Sequence, residues 1–190
     1  MSGDRDVIAA ADAAGIDVQL MNRLAAGDRD AVSELYDRHA ARVFSLAHRI
    51  LGNGTDAEDI VQDVFSQAWR TAPNYQAERG PVAAWLLVMT RTRAIDRIRA
   101  RRGTMQSLDA SGDLPDRTRP APDDLIAREE ASQVRNAVSQ LPADQRRALE
   151  LAYFEGLSQS EIAAQLQTPL GTVKTRIRTA LATLRRSVQR

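Results

Sequence analysis

The chain has no cysteine, only two histidines, and few aromatic side chains, which make up 4% of its 190 residues. Without cysteine it has no disulfide framework, no thiolate metal site and no cysteine nucleophile. With two histidines it also lacks the usual zinc-binding and nucleophilic constellations of enzymes. No apolar run approaches the ~20 residues that a helix needs to span a bilayer. These absences argue against a disulfide-rich secreted protein, a membrane-spanning protein and the common classes of enzyme.

What the chain does contain is an uneven distribution of charge. Hydrophobic residues make up 43% of the sequence, enough for a buried core, and the net charge is only +1. Four acidic residues and no basic residue lie between Ile50 and Trp69. Residues 91–102 hold six arginines and one acid, and residues 162–190 hold six basic residues and no acid. Such blocks predict separate partners for separate faces, although solvated helix faces would give the same pattern.

One segment is rich in both proline and glycine. Residues 103–124 contain three prolines, two glycines and five aspartates, with almost no bulky apolar residues. We predict a flexible linker there, because so few apolar side chains cannot repay the entropy lost on ordering. Two domains are then expected at 17–102 and 125–190, and residues 1–16 are predicted to be a mobile N-terminal extension. The first residues lack the basic-then-apolar layout of a signal peptide.

Both predicted domains are helical in pattern. Apolar residues recur at three- and four-residue spacing, and no segment alternates strictly, so the expected fold is all-α, with two small helical domains. Thr55, followed three residues later by Glu58, is predicted to cap a helix, and Pro81 is predicted to open the next one.

The C-terminal segment predicts two helices separated by a tight turn. Ser158 and Glu161 have capping-box spacing, and Pro169 fits the first turn of a second helix. One stripe of that second helix is apolar: Leu170, Val173, Ile177, Leu181 and Leu184. The opposite face is basic and rich in hydroxyl groups. This pattern predicts a helix-turn-helix whose second helix enters a DNA major groove, with a plain helical hairpin as the alternative.

Three stretches resemble one family of transcription proteins. Residues 141–186 read LPADQRRALELAYFEGLSQSEIAAQLQTPLGTVKTRIRTALATLRR and resemble the fourth conserved region of extracytoplasmic-function (ECF) sigma factors. Residues 56–70, DAEDIVQDVFSQAWR, resemble the second region, and residues 80–102, GPVAAWLLVMTRTRAIDRIRARR, resemble the helix that follows it. The resemblance implies a polymerase subunit that directs promoter recognition and melting, without covalent chemistry, cofactor or bound metal.

The resemblance also implies partners. Core RNA polymerase is expected to bind through its β′ clamp helices and its β subunit, and promoter DNA through both domains. An anti-sigma factor, often membrane-anchored in this family, is expected to cover the polymerase-binding surface. The chain itself is expected in the bacterial cytoplasm without inserting into the membrane. The positions that match the polymerase-binding helix are Asp59, Gln62, Asp63 and Phe65, although Phe65 also fits core packing.

The promoter-binding positions follow from the same resemblance. Asn74 and Tyr75 lie in the loop that would hold a flipped base of the minus-10 element, and nearby arginines would bind its phosphates: Arg91, Arg93, Arg97 and Arg99. Trp85 is expected to pack in the core. The minus-35 element would be read by Thr172, Lys174, Thr175, Arg176 and Arg178, with Arg185 on phosphates. Gln167 occupies a turn position where many relatives have glycine, so a differently shaped turn is expected.

Two other functions compete with this interpretation. A stand-alone helix-turn-helix regulator would bind DNA without polymerase, but it leaves the acidic helix and the arginine-rich helix unexplained. An enzyme could use the acids of DAEDIVQD as a metal-binding carboxylate set, but no Glu-x-x-His pairing accompanies them. A requirement for bound metal would favour the enzyme, and binding to core polymerase would favour the sigma factor.

Overall fold

The structure, a computed structural model, describes residues 3–106, 132 and 134–188. These residues form helices joined by short turns, and none of them lies in a β-strand, which confirms the all-α prediction. They fall into two compact units that divide inside the fourth helix, between Asp96 and Arg97. The predicted domain bounds, 17–102 and 125–190, remain a prediction.

Three helices and the part of a fourth up to Asp96 build the first unit. They are α1 (Gly3–Ala25), α2 (Asp30–Leu51), α3 (Gly54–Thr71) and α4 (Val82–Gln106). Two short 3₁₀ turns, Ala72–Asn74 and Ala77–Arg79, lie between α3 and α4. Apolar residues at helical spacing turn one face of each helix inward. The most buried include Met21, Leu35, Val43, Val64 and Leu86.

The N-terminal part of α1 differs from the sequence-based expectation. Residues 3–16, predicted to be a mobile extension, form the first part of this 23-residue helix. Alanines between positions 9 and 14 favour helix but provide no apolar stripe that a periodicity search detects. The helix continues into residues that are firmly packed, with Leu20 and Met21 only 2% and 1% exposed. The helix is therefore anchored by its second half.

The start of α3 corrects a second prediction. The capping residue is Asn53. Its backbone is extended (φ −134°, ψ 128°), and its side-chain oxygen accepts a hydrogen bond from the first turn of the helix. Asn53 Oδ1 accepts a hydrogen bond from the Asp56 amide at 3.1 Å. The prediction that Thr55 caps this helix is wrong, because asparagine is at least as good a cap and lies one residue before the first helical position.

The fourth helix extends into the predicted linker. It runs to Gln106, so residues 103–106 are helical, and the rest of the predicted linker, 107–124, lies outside the described residues. The whole arginine-rich stretch, residues 91–102, therefore lies on one helix, and that helix continues beyond the boundary predicted at residue 102.

The second unit is smaller. Residues 134–139 are helical, and α5 (Ala143–Tyr153), α6 (Gln159–Gln165) and α7 (Leu170–Val188) follow. Their common core is a cluster of five residues, namely Ala148, Leu151, Ile162, Val173 and Ile177. This arrangement of α6, a short turn and α7 is the helix-turn-helix that the sequence predicted.

The predicted apolar stripe of α7 is only partly buried. Val173 and Ile177 lie in the core, whereas Leu170 and Leu181 are 38% and 52% exposed. The stripe exists as predicted, but the core of this unit covers only part of it.

Candidate functional site

The third helix carries an exposed acidic row. Asp59, Gln62 and Asp63 stand at i, i+3 and i+4 positions of α3, so they share one face, and all three are exposed. Carboxylates on such a face suit a partner surface that carries arginines. We call Asp59, Gln62 and Asp63 the acidic row.

Phe65, predicted as the fourth member of this site, lies on the other side of α3. It is 5% exposed, and its ring centroid is 4.9 Å from that of Tyr36. A side chain so buried is not available to a partner. The structure therefore favours core packing for Phe65 and separates it from the acidic row.

Arg93 joins two predicted sites. Its Nε donates a hydrogen bond to Gln67 Oε1 at 2.8 Å, and its guanidinium lies 3.5 Å from the Asp63 carboxylate. A residue predicted to bind minus-10 DNA therefore contacts one predicted to bind polymerase. An open cleft of about 320 Å³ lies beside this contact and is lined by Gln67, Val88, Met89, Thr92, Arg93 and Asp96.

The four arginines predicted for minus-10 DNA do not share one face of α4. At about 100° per residue, Arg93 and Arg97 lie close together around the helix axis, and Arg91 and Arg99 form a second pair on a different side. Arg99 is exposed and the other three are half-buried. One duplex segment lying against a single face of α4 would not meet all four cations.

The loop between α3 and α4 is held by its own aromatic residue. The Tyr75 hydroxyl donates a hydrogen bond to the Gly80 carbonyl oxygen at 3.0 Å. Its ring packs against Trp85, with centroids 5.5 Å apart and planes tilted by 59°. Burial, together with the negative charges of Asp17 and Glu78, raises the pKa of Tyr75, so its hydroxyl keeps its proton and remains a donor. Asn74, in contrast, is exposed.

Trp85 has a more specific place than the core packing predicted for it. It is half-buried and supports the ring of Tyr75. In the sequence Trp85 is visible only as part of an apolar stretch. Its contact with Tyr75 depends on how α4 packs against the loop that precedes it.

Asp17 is a buried residue of the first unit that sequence reasoning missed. The residue is 6% exposed, and its carboxylate accepts hydrogen bonds from Arg38 Nε at 2.8 Å and from His39 Nε2 at 2.9 Å. Burial alone would raise the pKa of Asp17, but the bonds and charges of His39 and Arg38 outweigh it, and the pKa is lowered. A lone aspartate in a polar and alanine-rich stretch carries no pattern that reveals such a pairing.

The turn of the helix-turn-helix is built by short-range contacts. Ser158 Oγ accepts from the Glu161 amide at 3.2 Å, and the Glu161 carboxylate accepts from the Ser158 amide at 2.6 Å. This is the capping box predicted from the sequence, and its hydrogen bonds lower the pKa of Glu161. Gln167 then takes a left-handed backbone conformation with φ 49°. The turn therefore keeps the conformation that glycine adopts most easily, rather than a different one.

The outer face of α7 presents most of the predicted minus-35 residues together. Thr172, Lys174, Thr175, Arg178 and Arg185 are exposed and lie opposite the buried side of the helix. The Thr175 hydroxyl donates to the Gly171 carbonyl oxygen at 3.0 Å. We call these five residues the basic face.

Arg176 stands apart from the basic face. It is half-buried at the edge of α7, and its Nε donates to the Asp144 carboxylate of α5 at 2.8 Å. The Asp144 carboxylate therefore holds the Arg176 side chain in place and partly neutralises its charge.

Within the described part of the chain, no three His, Cys, Asp or Glu side chains are grouped closely enough to hold a metal ion. The helices of the described ranges also include none that is both long and apolar enough to cross a membrane.

Comparison with known proteins follows the same division of the chain. The family described as Sigma-70 region 2 matches residues 35–104, and the family described as Sigma-70, region 4 matches residues 131–184. The ECF RNA polymerase sigma factor SigK of Mycobacterium ulcerans (strain Agy99) is 36% identical over 174 residues, covering 87% of this chain and 90% of that protein. SigK of Mycobacterium tuberculosis (strain ATCC 25618 / H37Rv) is 34% identical with the same coverage.

Solved structures add a weaker likeness. Rhodobacter sphaeroides SigE, in complex with the anti-sigma ChrR, is 29% identical and covers 90% of this chain and 97% of its own, with a TM-score of 0.44. The sigma factor RpoE from Bartonella quintana, in complex with the anti-sigma factor NepR, is 26% identical with a TM-score of 0.40, covering 78% and 90%. At these scores the overall superposition carries no structural argument.

Proposed function

This chain belongs to the extracytoplasmic-function family of RNA polymerase sigma factors, and we propose that its acidic row binds core polymerase while its two units divide the promoter between them. It is a transcription initiation factor and not a stand-alone helix-turn-helix regulator. The observation that carries this conclusion is the presence of both sigma regions in one chain, in order, at residues 35–104 and 131–184.

The acidic row is the proposed docking surface for the β′ clamp helices of core polymerase, with further contacts to the β subunit. Three observations support it: Asp59, Gln62 and Asp63 share one face of α3, all are exposed, and the apolar residues of the same helix are buried on the other side. Charged groups on such a surface contribute to the choice of partner and the association rate more than to raw affinity.

Minus-10 DNA is the proposed ligand of the loop between α3 and α4. Asn74 is exposed at this loop, and the hydrogen bond from the Tyr75 hydroxyl to the Gly80 carbonyl oxygen holds the backbone of the loop in place. A flipped base needs a fixed site to receive it, and its phosphates need cations. Arg93 and Arg97 supply cations on one side of α4, and Arg91 and Arg99 supply them on another.

Minus-35 DNA is the proposed ligand of the basic face. Thr172, Lys174 and Thr175 stand in the N-terminal half of α7, where a recognition helix meets base edges. Arg178 extends this surface, and Arg185 near the end of the helix suits a phosphate.

Regulation by an anti-sigma factor is part of the proposal. Such a partner would cover the acidic row and so compete with core polymerase. We further propose that the protein acts in the bacterial cytoplasm, with any attachment to the membrane supplied by that partner, and that it performs no covalent chemistry and needs no cofactor.

The decisive experiment is a pull-down with purified core RNA polymerase. Wild-type protein should be retained, and the Asp59→Arg, Asp63→Arg double variant should lose at least tenfold in affinity, about 1.4 kcal/mol. Each single variant is measured beside the double one, because Asp63→Arg also places a cation next to Arg93. Circular dichroism confirms that the variants are folded.

Glu58→Arg is the matched control. It makes the same charge reversal at an exposed position of α3, one residue before the acidic row. It should reduce binding less than Asp59→Arg does. If wild type fails to bind core polymerase, the proposed function is wrong. If Glu58→Arg and Asp59→Arg weaken binding equally, only the placement of the docking surface is wrong.

A further inference from the structure

A buried carboxylate ties the N-terminal helix to the rest of the first unit. Asp17 of α1 is bonded through both of its oxygens to α2, with Oδ1 to Arg38 and Oδ2 to His39. Arg38 also reaches back to α1, donating to the Ala13 carbonyl oxygen at 3.2 Å. Two neighbouring residues of α2 are therefore hydrogen-bonded to one turn of α1. Of the two, His39 is almost completely buried, with 4% of its surface exposed.

The same helix packs against the loop proposed to read minus-10 DNA. Residues of α1 contact the 3₁₀ turn Ala72–Asn74, whose first residue, Ala72, is 3% exposed. The charge of Asp17 also acts on the hydroxyl of Tyr75, the next residue of the loop, and contributes to its raised pKa. Asp17 thus stands where α1, α2 and this loop meet.

All of α1 lies ahead of the sigma region 2 match, which begins at residue 35, so no role of α1 in promoter reading follows from that match. We propose that Asp17 is a positioning residue for promoter opening: by holding α1 against α2 it fixes the surface on which Ala72–Asn74 rests, and so sets Asn74 and Tyr75 for the minus-10 element. This inference rests on the proposed function of the loop.

The physical reason is the cost of an unpaired buried ion. Removing the charge of Asp17 leaves the buried His39 and the half-buried Arg38 without their carboxylate, and such partners move to recover hydrogen bonds. A small shift of α1 would also move the turn that it supports. Because promoter opening depends on the position of that turn, even a small displacement should slow it strongly.

The test uses holoenzyme assembled from core polymerase and the full chain, with a duplex library in which the minus-35 and minus-10 blocks are both randomised. Transcripts are sequenced to give total yield and the base preference at each block. For Asp17→Asn we expect about a tenfold lower yield, the scale of ~1.4 kcal/mol in a barrier. We also expect a flattened minus-10 preference, an unchanged minus-35 preference and unchanged binding to core polymerase.

The matched control is Glu34→Gln. Glu34 forms another ion pair between these helices, with Arg23 at 2.8 Å, but both side chains are exposed, at 51% and 41%. Such a pair contributes little, and Glu34→Gln should transcribe like wild type with the same base preferences. Equal effects of Asp17→Asn and Glu34→Gln would overturn the proposal, because any loosening of α1 would then suffice.

A double-mutant cycle with Asn74→Ala separates positioning from general stability. If Asp17 acts through the loop, Asp17→Asn should cause little further loss once Asn74 is truncated. Full additivity of the two losses would contradict the inference. Should Asp17→Asn fail to fold, Arg38→Gln keeps the bond between Asp17 and His39 and should show the same loss of minus-10 preference to a smaller extent; unchanged preference in that variant would equally overturn the proposal. A wild-type protein that directs no transcription would refute the proposed function instead.

Discussion

The two units present their candidate contact residues in opposite ways. In the first unit these residues are bonded to one another and to the fold: Arg93 holds Gln67 and approaches Asp63, and Tyr75 closes its own loop on Gly80. In the second unit the basic face of α7 points outward, whereas the flanking Arg176 pairs with a side chain of another helix, Asp144.

The difference comes from how each surface is made. A single amphipathic helix separates its reading face from its core by periodicity alone, so Val173 and Ile177 can pack while Thr172 and Lys174 face outward. A loop between two helices has no such separation, and its side chains must also hold it together. Substitutions in the first site should therefore change function and stability together, whereas those on the basic face should change function alone.

The largest expected effect comes from the small core of the second unit. Leu151 is fully buried in its five-residue cluster, and Leu151→Ala should cost about 2–5 kcal/mol through lost contacts and a cavity. Minus-35 binding should be lost while core polymerase binding persists. Leu86→Ala, at an equally buried position of the first unit, should show the reverse. Hydrogen exchange resolved by unit, with both binding assays, checks this pair, and loss of both activities in each variant would contradict it.

The next effect separates function from stability most directly. Arg178→Ala should weaken minus-35 DNA binding by about 1–3 kcal/mol while leaving the free energy of unfolding within about 0.5 kcal/mol of wild type. Arg93→Ala should lower both promoter opening and stability, because it leaves Gln67 and Asp63 without their partner. Fluorescence anisotropy at several salt concentrations and urea unfolding measure the two quantities. A clear loss of stability in Arg178→Ala would break the comparison.

A smaller loss is expected at the capping box. Ser158→Ala removes the oxygen that accepts from the Glu161 amide and should cost about 1 kcal/mol in the unfolding of the second unit. Ser158→Gly is the control, since glycine at this position costs only a few tenths of a kcal/mol. Thermal unfolding measures both losses, and an unchanged stability of Ser158→Ala would show that the hydroxyl is not the stabilising group.

The smallest expected change has the opposite sign. Gln167 holds φ at 49°, a conformation that costs a side-chain-bearing residue about 1–2 kcal/mol. Gln167→Gly should relieve this strain, and after the greater chain entropy of glycine is subtracted, stability should rise by about 0.5 kcal/mol. Gln167→Ala, which keeps the Cβ atom, should bring no such gain. Minus-35 affinity should be unchanged in both, because Gln167 precedes the recognition helix.

The second unit was the more predictable of the two. Ser158, Glu161 and Pro169 mark its helix starts through contacts within three residues, which a sequence displays directly. Its apolar stripe did not reveal that Leu170 and Leu181 stay exposed, because such a stripe does not show how much partner surface is available to cover it. In the first unit the acidic row was visible as a charge pattern, but the burial of Phe65 decided which of the four predicted residues can face a partner.

Sequence by itself determined that this protein is helical, that it belongs to the ECF sigma factors, and where its helix-turn-helix begins, because periodicity, capping and motif order are local properties of the chain. Only the tertiary structure decided that Asp17 is bonded to Arg38 and His39, that Arg93 lies beside Asp63, and that Trp85 supports Tyr75. The hydrogen bonds of Asp17 and of Arg93 to Gln67 join residues 21 to 26 positions apart. Contacts over that distance depend on how whole helices pack, and packing is set by the combined burial of many side chains rather than by any pattern in the segments that meet.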